Sequence, residues 1–402
     1  HGLSMMAKQS EPYEVTIENP LGSTVRTLFS PERGWEELEE FTRAVAQRLG
    51  LNVIPVMEKY SEFEALLEVA DAQGLAPGAY TLRYTVQPNQ ISWRETVTLL
   101  PREDLPLSEQ EAAWAFATNE CCAIYYMTHT AAERDLPELL PLIDEQARAA
   151  SDRMDITFSQ PITITLLPRV LGHGGFASSE IHVSYLDRNY TNGQLGNILQ
   201  PEMVHILDTR LGGDLRPDIL VEGLAVYATG GHYQPGPLMP QAATLLDAWG
   251  DPPQPGLDRY LPLRALADDF YSAQHEIGYL QAGALVDYMV RTWGWSGFSA
   301  FYRDIHPHLS GSQAQALEDA LLAHFDLSLA QLEQDFITAL RQQPASPAML
   351  QELQLTITYY DTLRAYQQQL DPSAYFLHAW LLDTPTMRQK NILADYLRHP
   401  LE

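Results

Sequence analysis

The residues best suited to chemistry are Glu202 and His205, in Pro201-Glu202-Met203-Val204-His205, and Glu222, in Val221-Glu222-Gly223-Leu224-Ala225-Val226-Tyr227. On an α-helix, positions i and i+4 lie one turn apart on the same face. Two histidines so spaced can grip one zinc ion, and a glutamate after the first can activate a zinc-bound water. A carboxylate from a second helix completes three protein ligands and leaves the fourth position open for hydrolysis. In that scheme His205 and Glu222 are metal ligands and Glu202 is the general base. The first ligand belongs at position 201, where Pro201 has no coordinating atom.

Structural zinc sites with four ligands bind with roughly 10–16 kcal/mol, so a missing ligand costs on the order of 3–4 kcal/mol. That is roughly two to three orders of magnitude in affinity. Proline also strains the helix that carries the site. Residues 191–206 read as one amphipathic helix with Thr191 or Asn192 as cap and Leu195, Ile198, Leu199, Glu202, His205 and Ile206 on one face. Pro201 either lies inside it, at a cost of roughly 3 kcal/mol, or starts a new helix as its first residue.

Glu222 sits in the apolar run 219–228, which predicts a buried helix, and a buried carboxylate needs a metal, a cation or donors. Arg210 or Arg216 is the ordinary alternative partner. Downstream, a helix beginning near Tyr271 and stopping at Gly294 puts His275 and Tyr279 on one face. Either could donate to the oxyanion of a tetrahedral intermediate, or be a satisfied core residue. His182, in the alternating strand 179–185, and His232, after Gly230-Gly231, are possible substitute ligands; His173 reads as a loop residue.

Taken in order, residues from about Phe158 to Arg303 resemble the gluzincin zinc metallopeptidases, with P-E-x-x-H where the family has H-E-x-x-H and E-G-L-A-x-Y downstream. Pro217 shortly before that second motif is similar to the bacterial peptidase MA-like group. The 16 residues between His205 and Glu222 are slightly fewer than the family's usual gap. The resemblance implies an α+β, zincin-like (thermolysin-like) catalytic domain that is mostly helical with a small sheet. It implies zinc as cofactor, a peptide or protein as substrate, and an edge strand just before the zinc helix along which a peptide can pair. Members are often exported. With Pro201 in place, two functions follow: a metallopeptidase-type hydrolase with a weakened zinc site, or an inactive pseudopeptidase that binds a peptide or protein partner.

The bulk properties exclude other classes. A net charge of −27 with three lysines argues against nucleic acid and anionic lipid. No apolar stretch is long enough to span a bilayer. Cys121 and Cys122 fall in a run, 114–125, that reads as helix, where adjacent residues cannot close an unstrained bridge; buried reduced thiols are expected. The chain opens at His1-Gly2, as a processed terminus or a tag remnant would.

Three regions are expected to position these residues. Residues 12–103 read as a small mixed α/β domain, with a strand at 13–17, a helix at 35–49 and a hairpin around Pro88-Asn89. Residues 107–343 form the catalytic domain. It opens with a helical stretch, 108–151, broken near Pro137 and Pro141, before a first strand at 162–167. The proline- and glycine-rich stretch 234–261 should wrap the surface by the cleft, and 317–342 should be helical. Residues 348–402 read as C-terminal helices.

Overall fold

The computed structural model describes the strand backbones 13–18, 24–29, 78–87 and 91–99. It then describes residues 101–104, 110–156, 160–187, 195–211, 216–232 and 235–371, with residues 374, 384 and 388. The predicted helix at 35–49 lies outside these. Strand β1 (Tyr13–Glu18) forms where a strand was expected, and β3 (Gly78–Gln87) and β4 (Ile91–Leu99) form the hairpin expected around Pro88-Asn89. With β2 (Thr24–Phe29) they make an antiparallel sheet ordered β2-β1-β3-β4.

A second sheet supports the site. Its five strands are β5 (Trp114–Thr118), β6 (Cys122–Met127), β7 (Ile162–Leu167), β8 (Gly175–Ala177) and β9 (Ile181–Ser184), ordered β5-β6-β7-β9-β8. The β6-β7 and β7-β9 pairs are parallel and the outer pairs antiparallel. Helix α1 (Ala131–Met154) connects β6 to β7, and α2 (Leu195–Arg210) and α3 (Asp218–Thr229) follow β9. After them come α4 (Leu238–Ala243), α5 (Leu263–Asp268), α6 (His275–Arg303), α7 (Gln313–Phe325), α8 (Leu329–Arg341) and α9 (Pro347–Leu370). The molecule is therefore α+β. Among the described residues no helix is long and apolar enough to cross a membrane.

Several expectations need correction. Residues 114–125 are a hairpin rather than a helix, as their aromatic and β-branched content favours. At its turn the Asn119 side chain accepts from the Cys122 N–H at 2.9 Å, and Asp144 accepts from the Cys121 N–H at 3.0 Å. Cys121 and Cys122 are joined by a disulfide, so the objection drawn from helix geometry does not apply. Helix α1 passes Pro137 and Pro141 unbroken; both are exposed, four residues apart, so the carbonyls they strand lie on the solvent side. The 234–261 stretch is not a mere surface wrap, since Leu238, Met239, Ala242, Leu245 and Trp249 belong to the core. Strand β9, expected to be the edge, is interior, and β8 is the outer strand on that side of the sheet.

The site helices cross where glycine allows it. A Cβ on Gly223 would lie 2.6 Å from the Ala282 carbonyl oxygen, and one on Gly283 would strike the Val226 side chain. The glycine of the E-G-L-A segment is thus the point where α3 touches α6. Gly230, at φ 74°, ends α3, and Gly294, at φ 73°, breaks α6 where the sequence placed its stop.

Candidate active-site cleft

Helix α2 is continuous through Pro201, which is buried. Of the two helical outcomes open to the sequence, the internal proline is the one adopted; the cap residues Thr191 and Asn192 lie outside the described residues. One turn beyond Pro201, His205 points its Nε2 at Glu222 Oε2, 3.4 Å away. Glu222 is held from its other side by Tyr271, whose hydroxyl donates to Oε1 at 2.7 Å. Neither arginine serves it. Arg210 donates to the carbonyls of Gln160 and Pro161, and Arg216 faces Asp208 at 3.6 Å and the Tyr302 ring at 4.5 Å.

Charge is unevenly held among these side chains. Burial pushes the Glu202 carboxyl up to about 7, helped by the like charge of Glu222 and opposed by His205 and an Ala177 backbone hydrogen bond. Burial would lower His205, but Glu222 outweighs it and lifts the imidazole to about 9. Burial would likewise raise Glu222, yet the His205 charge and the hydrogen bonds from His205 and Tyr271 hold it below the usual carboxylate range. The result is an imidazolium–carboxylate pair beside a carboxyl that titrates near neutrality.

His275 and Tyr279 share the inner face of α6 as expected, with ring centroids 4.2 Å apart. His232, just after α3, stacks on Tyr279 at 4.2 Å and meets His275 Nε2 to Nε2 at 3.3 Å. That contact needs one imidazole as donor and the other as acceptor. Burial, then the neighbouring histidines, keep both well below the usual histidine range. Burial first, then Glu222, raises Tyr279. His182 is engaged elsewhere: its Nε2 meets Thr384 Oγ1 at 2.6 Å and Glu180 Oε1 at 3.1 Å, and its ring stacks on Phe176.

Three features escaped the sequence reading. His173 is a loop residue, as read, but its ring packs edge-on against His275 at 5.3 Å. Tyr271, placed at the start of a helix, lies in a 3-10 turn before it and serves Glu222. Asp208, one turn beyond His205, forms a buried group with Arg216 and with the Tyr302 hydroxyl at 3.0 Å. The i, i+3 spacing of His205 and Asp208 was the available signal for that last group.

A catalytic zinc site takes three protein ligands. Among the described residues no group of three or more His, Cys, Asp or Glu side chains could hold a metal ion. His205 and Glu222 are two donors, Pro201 supplies none, and His232 and His275 face each other. Among the described residues the donor set does not fit catalytic zinc.

No protein-family model matches the chain, and no curated protein matches it. One similar solved structure is a mutant of a two-domain M1 zinc metallopeptidase bound to L-arginine. It is 13% identical with a TM-score of 0.27, and the match covers 65% of this chain. The chain spans 59% of that structure's length.

Proposed function

We propose that this chain is a pseudopeptidase: a zincin-like cleft that binds an extended peptide segment of a partner without metal-dependent hydrolysis. The observation that carries the reading is the closed pair between His205 and Glu222, one turn after Pro201. Two residues of the ligand type neutralise each other where a third would be needed to hold an ion between them. The outer strand β8 supports the peptide-binding half of the reading. It pairs only with β9 among the described residues, and its Ala177 backbone meets Glu202. An extended segment can add to such a strand through main-chain hydrogen bonds.

A metallopeptidase-type hydrolase is the second reading. It draws on the 3.4 Å separation of His205 and Glu222, close to the spacing of about 3.3 Å between two ligands bonded at 2.0–2.1 Å to one tetrahedral ion. Zinc content by elemental analysis, after zinc exposure and gel filtration, separates the two. The pseudopeptidase reading expects far less than one zinc per chain in the natural protein and close to one in Pro201→His. It also expects both proteins to bind members of an extended-peptide library in a fluorescence-polarisation assay. One firmly held zinc in the natural protein, with cleavage of any library peptide, would overturn it. So would the absence of peptide binding in both proteins.

A further inference from the structure

Helix α9 reaches the site through one of its faces. Tyr360, Arg364 and Gln367 follow at i, i+4 and i+7, a spacing that sets them on successive turns of one side. The Tyr360 ring packs against His173, with centroids 5.3 Å apart. The Arg364 guanidinium donates to both oxygens of Glu276, at 2.9 and 2.8 Å, in the first turn of α6 and next in the chain to His275. Gln367 is fully buried and donates from Nε2 to the Gly172 carbonyl at 2.6 Å.

The Gln367 contact bears on β8. Gly172 lies in the loop between β7 and β8, just before that strand begins at Gly175. Both of its main-chain polar groups are taken up by the C-terminal part of the chain: the carbonyl by Gln367, and the N–H by the Ala374 carbonyl at 2.9 Å. The loop is tight, since the Gly174 N–H donates to the Leu171 carbonyl at 2.7 Å and the Leu171 N–H to Ser184 Oγ at 2.7 Å. Wherever Gly172 is held, β8 therefore follows. The strand has three residues, the short limit for a strand, and so few ladder bonds do little to fix its place. Its register shows what that place controls. The Ser184 N–H donates to the Gly174 carbonyl and the Ser178 N–H to the Glu180 carbonyl. Hydrogen-bonded pairs alternate along an antiparallel ladder, so Gly175 and Ala177 turn their main-chain groups away from β9.

We propose that α9 is a positioning clamp for β8, with Gln367 as its main contact and Tyr360 and Arg364 behind it. It holds the loop before β8 so that Gly175 and Ala177 present their main-chain groups to an incoming extended segment. The inference rests on the reading of β8 as the strand that such a segment extends. A strand ordered beforehand spares the segment part of the cost of binding. Without the clamp only a fraction of the molecules hold β8 in place, and the apparent affinity falls by that fraction.

Gln367→Met tests this, because it keeps an unbranched side chain of similar length and removes the donor. In the full chain, amide hydrogen exchange at residues 172–177 should accelerate about tenfold, the effect of losing one buried hydrogen bond, while α7 and α8 keep their rates. Fluorescence polarisation with a library peptide bound by the natural protein should show an affinity lower by about the same factor. Leu332→Ala, a buried position in α8, separates position from stability: it should lower the melting temperature and leave the affinity of the folded protein unchanged. If Gln367→Met does not fold, Tyr360→Leu removes the ring from His173 without stranding a buried carbonyl, and should move both readouts in the same direction. Unchanged exchange at 172–177 would overturn the proposal. So would faster exchange with unaltered affinity, or an equal loss of affinity in Leu332→Ala. If the natural protein binds no peptide, the reading of β8 falls instead, and the exchange rates alone decide whether α9 holds the strand.

Discussion

His205 Nε2 lies 3.4 Å from Glu222 Oε2, joining α2 to α3 one turn beyond Pro201. The pair is shielded but not sealed, its side chains being 22% and 11% exposed. Removing one member leaves the other charged and short of a partner. His205→Ala or Glu222→Ala should each cost about 2–3 kcal/mol, less than a fully buried pair because of that exposure. The double variant His205→Ala/Glu222→Ala should cost clearly less than the two single losses added together. Urea unfolding of the four proteins measures this, and strictly additive losses would show that the contact is not a coupled pair.

Glu202 gives the site a pH signature. Its folded carboxyl is raised from an ordinary 4.5 to about 7, chiefly by burial. A group raised on folding contributes stability that is present below the unfolded value and lost as pH rises through the folded one. The window is therefore about pH 4.5 to 7, and the loss at its upper end is about 3 kcal/mol at most. Glu202→Gln carries no charge to bury. Its melting temperature should match that of the natural protein near pH 5 and exceed it at pH 8. A difference that does not change with pH would remove the claim that Glu202 is held near neutrality.

These two sites also show what the chain discloses by itself. Helical spacing placed His205, Glu222, His275 and Tyr279 on their elements because apolar periodicity over a dozen residues is a local signal. The β8 edge was not legible, since strand order depends on which segments meet across the sheet. The hairpin at 114–127 was misread because short apolar runs suit helix and strand alike, and the turn is made by Asp144 from a distant helix. Tyr271 as the partner of Glu222 depends on a contact 49 residues apart, which no spacing rule reaches.

Gly223 is the test of how closely α3 and α6 must approach. A methyl group there would sit 2.6 Å from the Ala282 carbonyl oxygen and 2.9 Å from its carbon, and backbone cannot step aside as a side chain can. Gly223→Ala should cost about 1–3 kcal/mol despite the better helix propensity of alanine. By pushing α6 from α3 it should also loosen Tyr279 from Glu222, seen as faster amide exchange in residues 275–283. Unchanged stability and exchange would mean that the crossing is looser than described.

Arg388 holds a late part of the chain onto the sheet. Its guanidinium donates to both Glu180 oxygens, at 2.8 and 2.9 Å, and stacks over the Tyr125 ring at 3.9 Å. Glu180 is 3% exposed, and although burial favours its neutral form, His182 and Arg388 hold it down at about 2. Arg388→Ala strands that carboxylate and should cost about 3 kcal/mol, toward the lower end for breaking a buried pair because His182 remains beside it. A second change, Glu180→Gln, should recover part of the loss by removing the stranded charge. Recovery in thermal unfolding at pH 7 identifies the ion pair as the cause. A double variant no more stable than Arg388→Ala would assign the effect to the lost packing on Tyr125 instead.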